Sequence, residues 1–570
     1  MKNKLYYELI NGVSKKNMED LIRYFSHLNR LTGTDDCEEA ASYICNQLEH
    51  YGVSYERYEF VGYFSNPIKS VLTVFTENNK TEILSKPRSF SLNCPEGITG
   101  DLIYDSKSLD PQLCLNEERD WYLNFRGKVV LSWNFSEDYV KKIEFYGAKG
   151  IIHIWKTEEE VIHEETVGPV WGTPTLESFK WIPKIPVIGI RKADGLSLID
   201  SVSRDDVKVL IQSLVEYKTG LVSLPVAYIP GKLDEYVLVS GHYDSWYEGI
   251  TDNAVGNAVC MEIARLFNNI SKNLERGIKV AFWPGHSNGR YAGSSWFCDN
   301  FWFDLHDNCI AHLNIDSPGS QGAEVVLPRT TILEGESFTK ELIKEFTGNC
   351  PENLLEIPRG ADQSFWGADI PYHIMYKYEP IRDKKIYNCP GSGGGWWWHS
   401  EFDNLDKLDM DMLIRDSQLN IATVYKFVTS KLLPADFEAF FSKQEDTIKI
   451  LAKNSDDSFN FNPILDSLSS LRDKLLSILK KDASVEKINK LIKIAGGGLN
   501  RLIYSSGSRY EFDDTFPSKP FIGLQHVFNI YKENTPEEEF IFALTGFIRQ
   551  RNRIVNELKE IEMKIDALSQ

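Results

Sequence analysis

The stretch VSGHYDSWYEGITDNAVGNA, residues 239–258, decides the fold of this chain and points to a site. It starts in an apolar run typical of a buried strand and ends in a pattern typical of a helix. His242 and Asp244 follow the strand, and Asp252 precedes the helix. In open α/β sheets, ligands bind beyond the carboxyl ends of the strands. Imidazole nitrogens and carboxylate oxygens placed there are typical ligands of a hydrolytic divalent metal.

Two more polar residues extend this pattern downstream. Asp316 follows the apolar run of another strand, and His399 follows a glycine-rich loop with three tryptophans. Taken alone, His242 is equally well explained as a solvated side chain, and Asp252 as a helix N-cap. Four such residues at strand ends favour a metal centre instead. The pattern predicts a two-metal hydrolytic site in which one carboxylate bridges and each metal keeps a histidine.

The order of elements predicts the fold class and a division of the chain. Strands and helices alternate around the motif, which favours an α/β fold with a mostly parallel sheet and helices on both faces. We expect residues 1–78 and 221–435 to form this catalytic domain. Residues 79–220 hold short apolar strands of a separate α/β unit, and residues 436–570 are helical and rich in Lys and Glu.

Composition and charge limit the classes of binding partner that fit this chain. The chain has 570 residues and a net charge of −19, which argues against nucleic acid as a partner. No apolar run is long enough to cross a membrane, and the N-terminus lacks the apolar segment of a signal peptide. The nine cysteines are scattered and form no C-x-x-C pair, which is typical of reduced thiols. We therefore predict a cytoplasmic protein without a membrane partner.

The motifs resemble those of a known family. GHYDSW followed by TDN is similar to the zinc exopeptidases, which include leucyl aminopeptidases, glutamate carboxypeptidase and the transferrin receptor; RGIKVAFW, LNIDS and HSEFDNLDKLD continue the match. GKVVLSW, GAKGII and IPVIGI in the inserted unit resemble a protease-associated domain. The tail LNRLIYSSGSRYEFDDTFPSKPFIGLQHVFNIY is similar to the helical dimerisation domain of the glutamate carboxypeptidase branch. The resemblance covers nearly the whole chain.

The resemblance implies a ligand set. His242, Asp252 and Asp316 would bind one metal, which the resemblance implies is zinc, and Asp252 would bridge to a second metal that His399 also binds. The chain would hold one or two such ions.

The resemblance also implies residues around the metals, and partners. Asp244 and Asp362 match carboxylates that line the site, and Asp244 is placed to accept the second ring N–H of His242. A small peptide or amide substrate and a homodimer through the C-terminal helical domain are the implied partners.

The loop WPGHSNGRYAGS, residues 283–294, departs from the family. Active members have two adjacent glutamates there, a general base followed by a ligand of the second metal. Counted from Trp283, these positions hold His286 and Ser287; counted back from the Gly-Ser pair, they hold Ser287 and Asn288. Neither alignment gives a carboxylate. Because serine is a poor substitute for a carboxylate ligand, we expect a weak second metal site.

Three interpretations of this loop remain open. In the first, His286 replaces the catalytic base, because an imidazole accepts a proton near neutral pH. Alternatively, His286 binds the metal while Glu248 or Glu401 supplies the base. In the third, catalysis is lost and the fold survives as a binding protein, as in the transferrin receptor. We expect His286 to be the catalytic residue.

The substrate-binding residues also depart from the glutamate carboxypeptidase branch. Trp398 stands where that branch has a tyrosine that stabilises the oxyanion, and an indole N–H can donate in its place. The stretch 371–376 lacks the arginines of that branch, and Arg290 is the one nearby cation for a substrate carboxylate. Aromatic side chains instead predict an aromatic or apolar substrate group. These are Trp246, Tyr247, Tyr291, Trp366, Trp396, Trp397 and Trp398.

The sequence thus predicts a metal-dependent hydrolase that cleaves an amide or peptide bond of a small substrate with metal-activated water. Two alternatives remain: a non-catalytic dimeric binding protein, and a glutaminyl-cyclase-like acyl transferase, which shares the fold and needs one metal.

Overall fold

The computed structural model describes residues 4–77, 79–109, 115–352, 354–381, 392–480, 483–513 and 519–569. The strands are β1 Ser54–Thr76, β2 Asn79–Pro87, β3 Cys94–Tyr104, β4 Val129–Ser132, β5 Gly150–Ile154, β6 Val187–Ile190, β7 Lys208–Ile229, β8 Leu233–His242, β9 Arg276–Trp283, β10 Cys309–Asn314, β11 Val325–Thr330, β12 Leu355–Glu356 and β13 Tyr372–Glu379.

The α-helices are α1 Lys4–Asn11, α2 Lys15–Phe25, α3 Asp35–His50, α4 Leu115–Leu123, α5 Glu137–Phe145, α6 Lys192–Arg204, α7 Val255–Asn268, α8 Ala292–Asn300, α9 Trp302–Asn308, α10 Glu336–Thr347, α11 Met410–Thr429, α12 Phe437–Lys453, α13 Asn462–Leu479, α14 Val485–Ile492, α15 Gly498–Tyr504 and α16 Glu537–Ser569.

The strands join in one large mixed sheet. Its order is β1-β2-β6-β5-β4-β3-β7-β9-β8-β10-β13-β11-β12. The four strands β9, β8, β10 and β13 are parallel to one another, whereas β7 and β11 are antiparallel to their neighbours in this part of the sheet. Strands β11 and β12 were not predicted from the sequence.

Helices cover both faces of the sheet, which confirms the predicted fold class. Along β8, Val237 and Val239 pack towards α7 and α11, while Tyr236 and Leu238 pack towards α8 and α9 on the other face. Alternate residues of a strand point to opposite faces, so a strand buried on both faces has an unbroken apolar sequence. Helices α12 to α16 form the predicted C-terminal helical region and extend the core on the α7 side.

Strands β1 and β7 connect the central sheet with the inserted segment. They pair antiparallel from Ser54 opposite Tyr228 to Phe75 opposite Lys208. Beyond them, the parallel strands β3 to β6 form the sheet of the inserted segment. The expected boundary between residues 220 and 221 falls inside β7. The division into four parts, and the protease-associated character of residues 79–220, stay predictions.

Two further observations concern the helices and cysteines. Among the described helices, none has both the length and the apolarity needed to cross a bilayer. Six of the seven described cysteines are buried as free thiols, and Cys350 is exposed. The cytoplasmic location stays a prediction.

Candidate active site

The ends of three neighbouring parallel strands bring the central residues together. His242 is the last residue of β8, His286 follows β9 and Asp316 follows β10. Because β8 lies between β9 and β10, the three side chains meet at one edge of the sheet. One ligand atom of each lies within 4.8 Å of the others, which is a spacing that a single metal ion can span.

Asp252 connects this group to His399. Its Oδ1 lies 3.0 Å from Nε2 of His242, and its Oδ2 lies 3.1 Å from Nε2 of His399. The Oδ1 of Asp316 is 4.0 Å from Nε2 of His242. The structure therefore brings together all four residues that the sequence analysis selected as metal ligands, with Asp252 between the two histidines.

Backbone carbonyls set the tautomers of two histidines. His242 donates its Nδ1–H to the carbonyl oxygen of Asp244 over 3.0 Å. His399 donates its Nδ1–H to the carbonyl oxygen of Glu164, also over 3.0 Å. A carbonyl oxygen only accepts, so Nδ1 carries the proton in both rings, and in the neutral form Nε2 keeps a lone pair for a metal.

Asp244 acts differently from the prediction. Its carboxylate was expected to accept the N–H of His242, but Oδ1 is 3.7 Å from that Nδ1, and the carbonyl of the same residue is the acceptor. The two carboxylate oxygens accept the backbone N–H groups of His286 and Ser287 instead, each over 3.1 Å. Asp244 thus holds the loop after β9 in place.

His286 is oriented by a buried carboxylate. Its Nδ1–H is donated to Oδ2 of Asp362 over 2.7 Å, and its ring stacks on that of His242 with 3.8 Å between centroids. Burial opposes ionisation of Asp362, but the charge and hydrogen bond of His286 and the hydroxyl of Ser294 outweigh burial and lower its pKa. In the neutral ring of His286, the Nδ1–H faces Asp362 and Nε2 carries the lone pair that can accept a proton or bind a metal.

The charges of this centre fit a bound cation. Burial lowers the pKa of His242, but Asp252, Asp316 and Asp244 outweigh burial and raise it to about 10. The buried Nε2 of His242 has no hydrogen-bond partner, although Asp252 lies 3.0 Å away. A divalent cation among these atoms would neutralise the carboxylates and give Nε2 a partner.

The two halves of the centre differ in their donors. His242, His286 and Asp316 form the one His/Cys/Asp/Glu group with metal-ligand spacing among the described residues. His399 lies on the other side of Asp252, which is therefore shared between His399 and His242. Ser287, which stands at the second glutamate position when the loop is counted from Trp283, is buried.

The comparisons with known proteins agree with this geometry. The family model described as peptidase family M28 matches residues 226–424, which span β8 to β13 and most of α11. Residues 226–424 are similar to this family and are named the M28 domain for that similarity.

Relatives and solved structures resemble the chain beyond this M28 domain. Carboxypeptidase Q of Rattus norvegicus is 24% identical over 375 residues, which is 61% of this chain and 75% of that protein. An aminopeptidase from Aneurinibacillus sp. strain AM-1 has a TM-score of 0.57 at 21% identity over 74% of this chain and 96% of that one. The zinc aminopeptidase BSAP from Bacillus subtilis has a TM-score of 0.53 at 18% identity, with coverage of 74% and 96%. These two solved structures share the fold of this chain.

Three residues proposed from the sequence do not line the cavity beside the clustered histidines and carboxylates. Glu401 is half-exposed and pairs with Lys86 over 3.2 Å, and Glu248 does not line the cavity next to His286. Neither is placed to act as the base. Arg290 is buried and pairs with Glu137 of the inserted segment, so the expectation that it binds a substrate carboxylate is wrong.

A cavity of about 270 Å³ adjoins the clustered histidines and carboxylates. Asp252, His286, Asp316 and His399 form one part of its lining, and Arg329, Arg359 and Lys377 contribute three cations. From the sequence, Arg290 was the one cation expected near the site, and it does not line this cavity. Arg329 lies on β11, which was not predicted, and this explains why it was missed.

Asp403 is a second residue that the sequence analysis missed. Its carboxylate accepts hydrogen bonds from the backbone N–H and the hydroxyl of Thr251, over 2.9 and 2.7 Å, and from the backbone N–H of Asp252 over 3.1 Å. Burial raises the pKa of Asp403 to about 7. The motif HSEFDNLDKLD contains this aspartate, but only the fold shows that it supports the loop that presents Asp252.

The tryptophan run does not form one binding surface. Trp398 stacks on His399 with 3.5 Å between ring centroids and lines the cavity with Tyr291. Trp397 is buried and donates its indole N–H to Thr251 over 3.0 Å, while Trp396 packs beside Phe402. One of the three indoles therefore faces the cavity.

Several residues of the site have left-handed backbone conformations. The φ angles of Tyr291, Ser317, Ala361, Asp362 and His399 are 66°, 54°, 49°, 62° and 55°. Non-glycine residues rarely adopt this region, and those that do cluster at functional sites. Asp362 and His399 of the site therefore lie on strained backbone.

Proposed function

We propose that this chain is a metal-dependent amide hydrolase that acts on a small peptide or peptide-like substrate. The observation that carries the proposal is the cluster of His242, Asp252, Asp316 and His399 beside a cavity that Asp252, Asp316, His399 and His286 line, within the M28 domain. Zinc fits the mixed imidazole and carboxylate donors, and a zinc aminopeptidase shares the fold. When bound, the ion activates water and polarises the carbonyl group of the substrate.

The ligands in this proposal come from four separate segments of the chain. His242, Asp252 and Asp316 hold the first ion. Asp252 and His399 hold a second, weaker one, because serine at position 287 offers no carboxylate. A chain with about one tightly bound zinc ion is the expected form.

His286 acts as the general base in this proposal. Asp362 keeps the proton on Nδ1, so Nε2 accepts the proton from the attacking water and later delivers it to the leaving amine. Trp398 lines the cavity and offers an indole N–H to the developing oxyanion. Trp398 and Tyr291 also supply the apolar surface for an aromatic or apolar substrate group.

The same proposal includes a cytoplasmic homodimer formed through the helical region. Phe540 and Phe547 of α16 are buried within the chain, whereas Ile541, Phe542 and Ile548 are 52%, 69% and 38% exposed. This exposed apolar group is larger than a solvated helix of a monomer needs.

A substrate screen with metal analysis tests the function. Protein loaded with zinc is incubated with aminoacyl anilides, N-acyl amino acids and peptides with N-terminal glutamine, beside an Asp252→Ala variant. We expect release of an amine by the wild type and loss of zinc and activity in the variant. Bound zinc without any product would favour a binding protein, and cyclisation of the glutaminyl peptides alone would favour an acyl transferase.

A further inference from the structure

We propose that Glu164 is a positioning residue that holds His399 ready for the second metal ion. Glu164 lies in the inserted segment, between β5 and β6, whereas His399 lies in the M28 domain. The inference rests on the proposed metal-dependent function and deepens it, because it makes the affinity for the second ion depend on a contact between these two parts of the chain.

The backbone of Glu164 holds His399 at two points. Its N–H donates to the carbonyl oxygen of His399 over 2.8 Å, and its carbonyl oxygen accepts the Nδ1–H of the His399 ring over 3.0 Å. The ring therefore cannot rotate without losing the second of these hydrogen bonds. In this orientation its Nε2 lies 3.1 Å from Oδ2 of Asp252, the carboxylate that His399 shares with His242.

His163 makes a similar contact one residue earlier. Its Nδ1–H is donated to the carbonyl oxygen of Trp398, and its ring stacks on that of Trp155 with 4.3 Å between centroids. Residues 163 and 164 thus bind residues 398 and 399 through three hydrogen bonds. His163, Glu164 and His399 are all buried, so bulk water does not compete for these bonds.

The side chain of Glu164 is anchored to two further segments. Its Oε1 accepts a hydrogen bond from the hydroxyl of Tyr247 over 2.7 Å and lies 3.4 Å from Nζ of Lys86. Tyr247 lies in the loop after β8, and Lys86 lies on β2. The other oxygen, Oε2, is buried and has no hydrogen-bond partner in the described part of the chain. Tyr247 and Lys86 therefore fix this carboxylate, and with it the backbone that holds His399.

A fixed histidine matters more at the second metal position than at the first. In the proposed site, His242, Asp252 and Asp316 hold the first ion, whereas the second has His399 and a share of Asp252. With fewer ligands, more of the binding free energy depends on ligands that are already oriented, because ordering a free side chain costs conformational entropy. Removing a partner that orients a metal-binding histidine typically weakens metal affinity about 10- to 100-fold.

Variants of the anchor test this role without changing a metal ligand. Wild type, Glu164→Ala, Glu164→Gln and Tyr247→Phe are stripped of metal and titrated with zinc in competition with a chelator. We expect the affinity for the second ion to fall about 10-fold or more in Glu164→Ala and Tyr247→Phe. Glu164→Gln should lose less, because its amide oxygen still accepts from Tyr247. The affinity for the first ion should stay at the wild-type value.

Two controls distinguish positioning from a general loss of structure. Glu160→Ala changes an exposed glutamate of the same segment and should bind both ions like the wild type. Tyr247→Phe removes one hydroxyl and keeps the ring, whose centroid lies 4.7 Å from Nζ of Lys86. Because both residues act through one contact, the double variant Glu164→Ala/Tyr247→Phe should bind the second ion about as weakly as Glu164→Ala alone. Circular dichroism monitors the fold.

Three results would overturn the role of Glu164. They are an equal affinity for the second ion in the wild type and Glu164→Ala, an equal loss of both ions in Glu164→Ala, and a wild type that binds one ion at saturating zinc. Ion affinity is measured without substrate, so the inference and the proposed function fail separately. A selective loss of the second ion, in a protein that hydrolyses none of the substrates, would contradict the hydrolase function alone.

Discussion

His286 donates its Nδ1–H to Oδ2 of Asp362 over 2.7 Å while its ring lies flat against that of His242, tilted by 12°. The pair places an oriented imidazole at the position where the resemblance, with the loop counted from Trp283, predicts a glutamate. Asp362 is itself held by the hydroxyl of Ser294 over 2.9 Å. A neutral imidazole fixed in this way presents Nε2 to the reaction centre.

Asp362→Asn tests whether the carboxylate orients His286. An amide at this position removes the charge and can turn its N–H towards Nδ1, so the tautomer is no longer fixed. We expect kcat to fall about 10- to 100-fold while zinc content stays unchanged. The measurements are steady-state kinetics and elemental analysis, with Asp120→Asn as a surface control. An unchanged kcat would show that His286 does not depend on Asp362.

Asp403→Asn tests the support of the Asp252 loop. Asp403 accepts three hydrogen bonds with its two oxygens, and asparagine offers one acceptor oxygen. We expect zinc affinity to fall about 10- to 100-fold, measured by competition with a chelator. Asp406→Asn, which changes an exposed carboxylate of the same loop, serves as the control and should keep wild-type affinity. Equal affinities in all three proteins would remove Asp403 from the support of the site.

The shifted pKa of Glu334 makes the free energy of unfolding depend on pH. Burial raises its pKa from 4.5 to about 7, so the folded protein holds a proton that the unfolded chain releases. The side chain therefore destabilises the fold progressively as pH rises from about 4.5 to 7, by about 3 kcal/mol in total.

Glu334→Gln removes this titration. We expect the variant to melt at a higher temperature than the wild type at pH 8, with a smaller advantage at pH 5, as measured by calorimetry. The control is Glu336→Gln, a nearby exposed glutamate on α10. A difference between Glu334→Gln and the wild type that stays constant from pH 5 to 8 would contradict the shifted pKa.

The exposed residues of α16 test the proposed homodimer. Phe542→Glu places a charge on the apolar surface formed with Ile541 and Ile548. We expect the wild type to sediment as a dimer and the variant as a monomer at micromolar concentration, because a buried unpaired charge opposes association. Leu176→Glu changes an exposed leucine outside α16 and should leave the dimer intact. A monomeric wild type would contradict the proposal.

The site residues that lie next to a recognisable strand or helix pattern could be predicted from the sequence. His242, Asp252 and Asp316 could be found because each lies beside an apolar strand or helix pattern, and such patterns locate the edge of a sheet. The central parallel strands were predicted for the same reason: strands buried on both faces have unbroken apolar sequences.

The remaining features depend on contacts between distant segments. Glu164 binds His399 through two backbone groups, and a carbonyl oxygen carries no sequence signal. Arg329 lies on a short strand that contains Pro328 and alternates in burial, so its sequence does not stand out. Asp244 was predicted to act on His242 with its carboxylate, and only the path of the loop after β9 shows that this group accepts backbone N–H groups instead.

His286→Ala on a verified substrate tests the central claim most directly. The claim is that His286 replaces the missing catalytic carboxylate of a metal-dependent hydrolase, and kcat and zinc content are measured on the same preparations of wild type and variant. We predict that the variant keeps its zinc and loses at least about 100-fold in kcat, as expected when a general base is removed. Loss of zinc together with activity would make His286 a ligand, and a variant with full turnover would contradict the account.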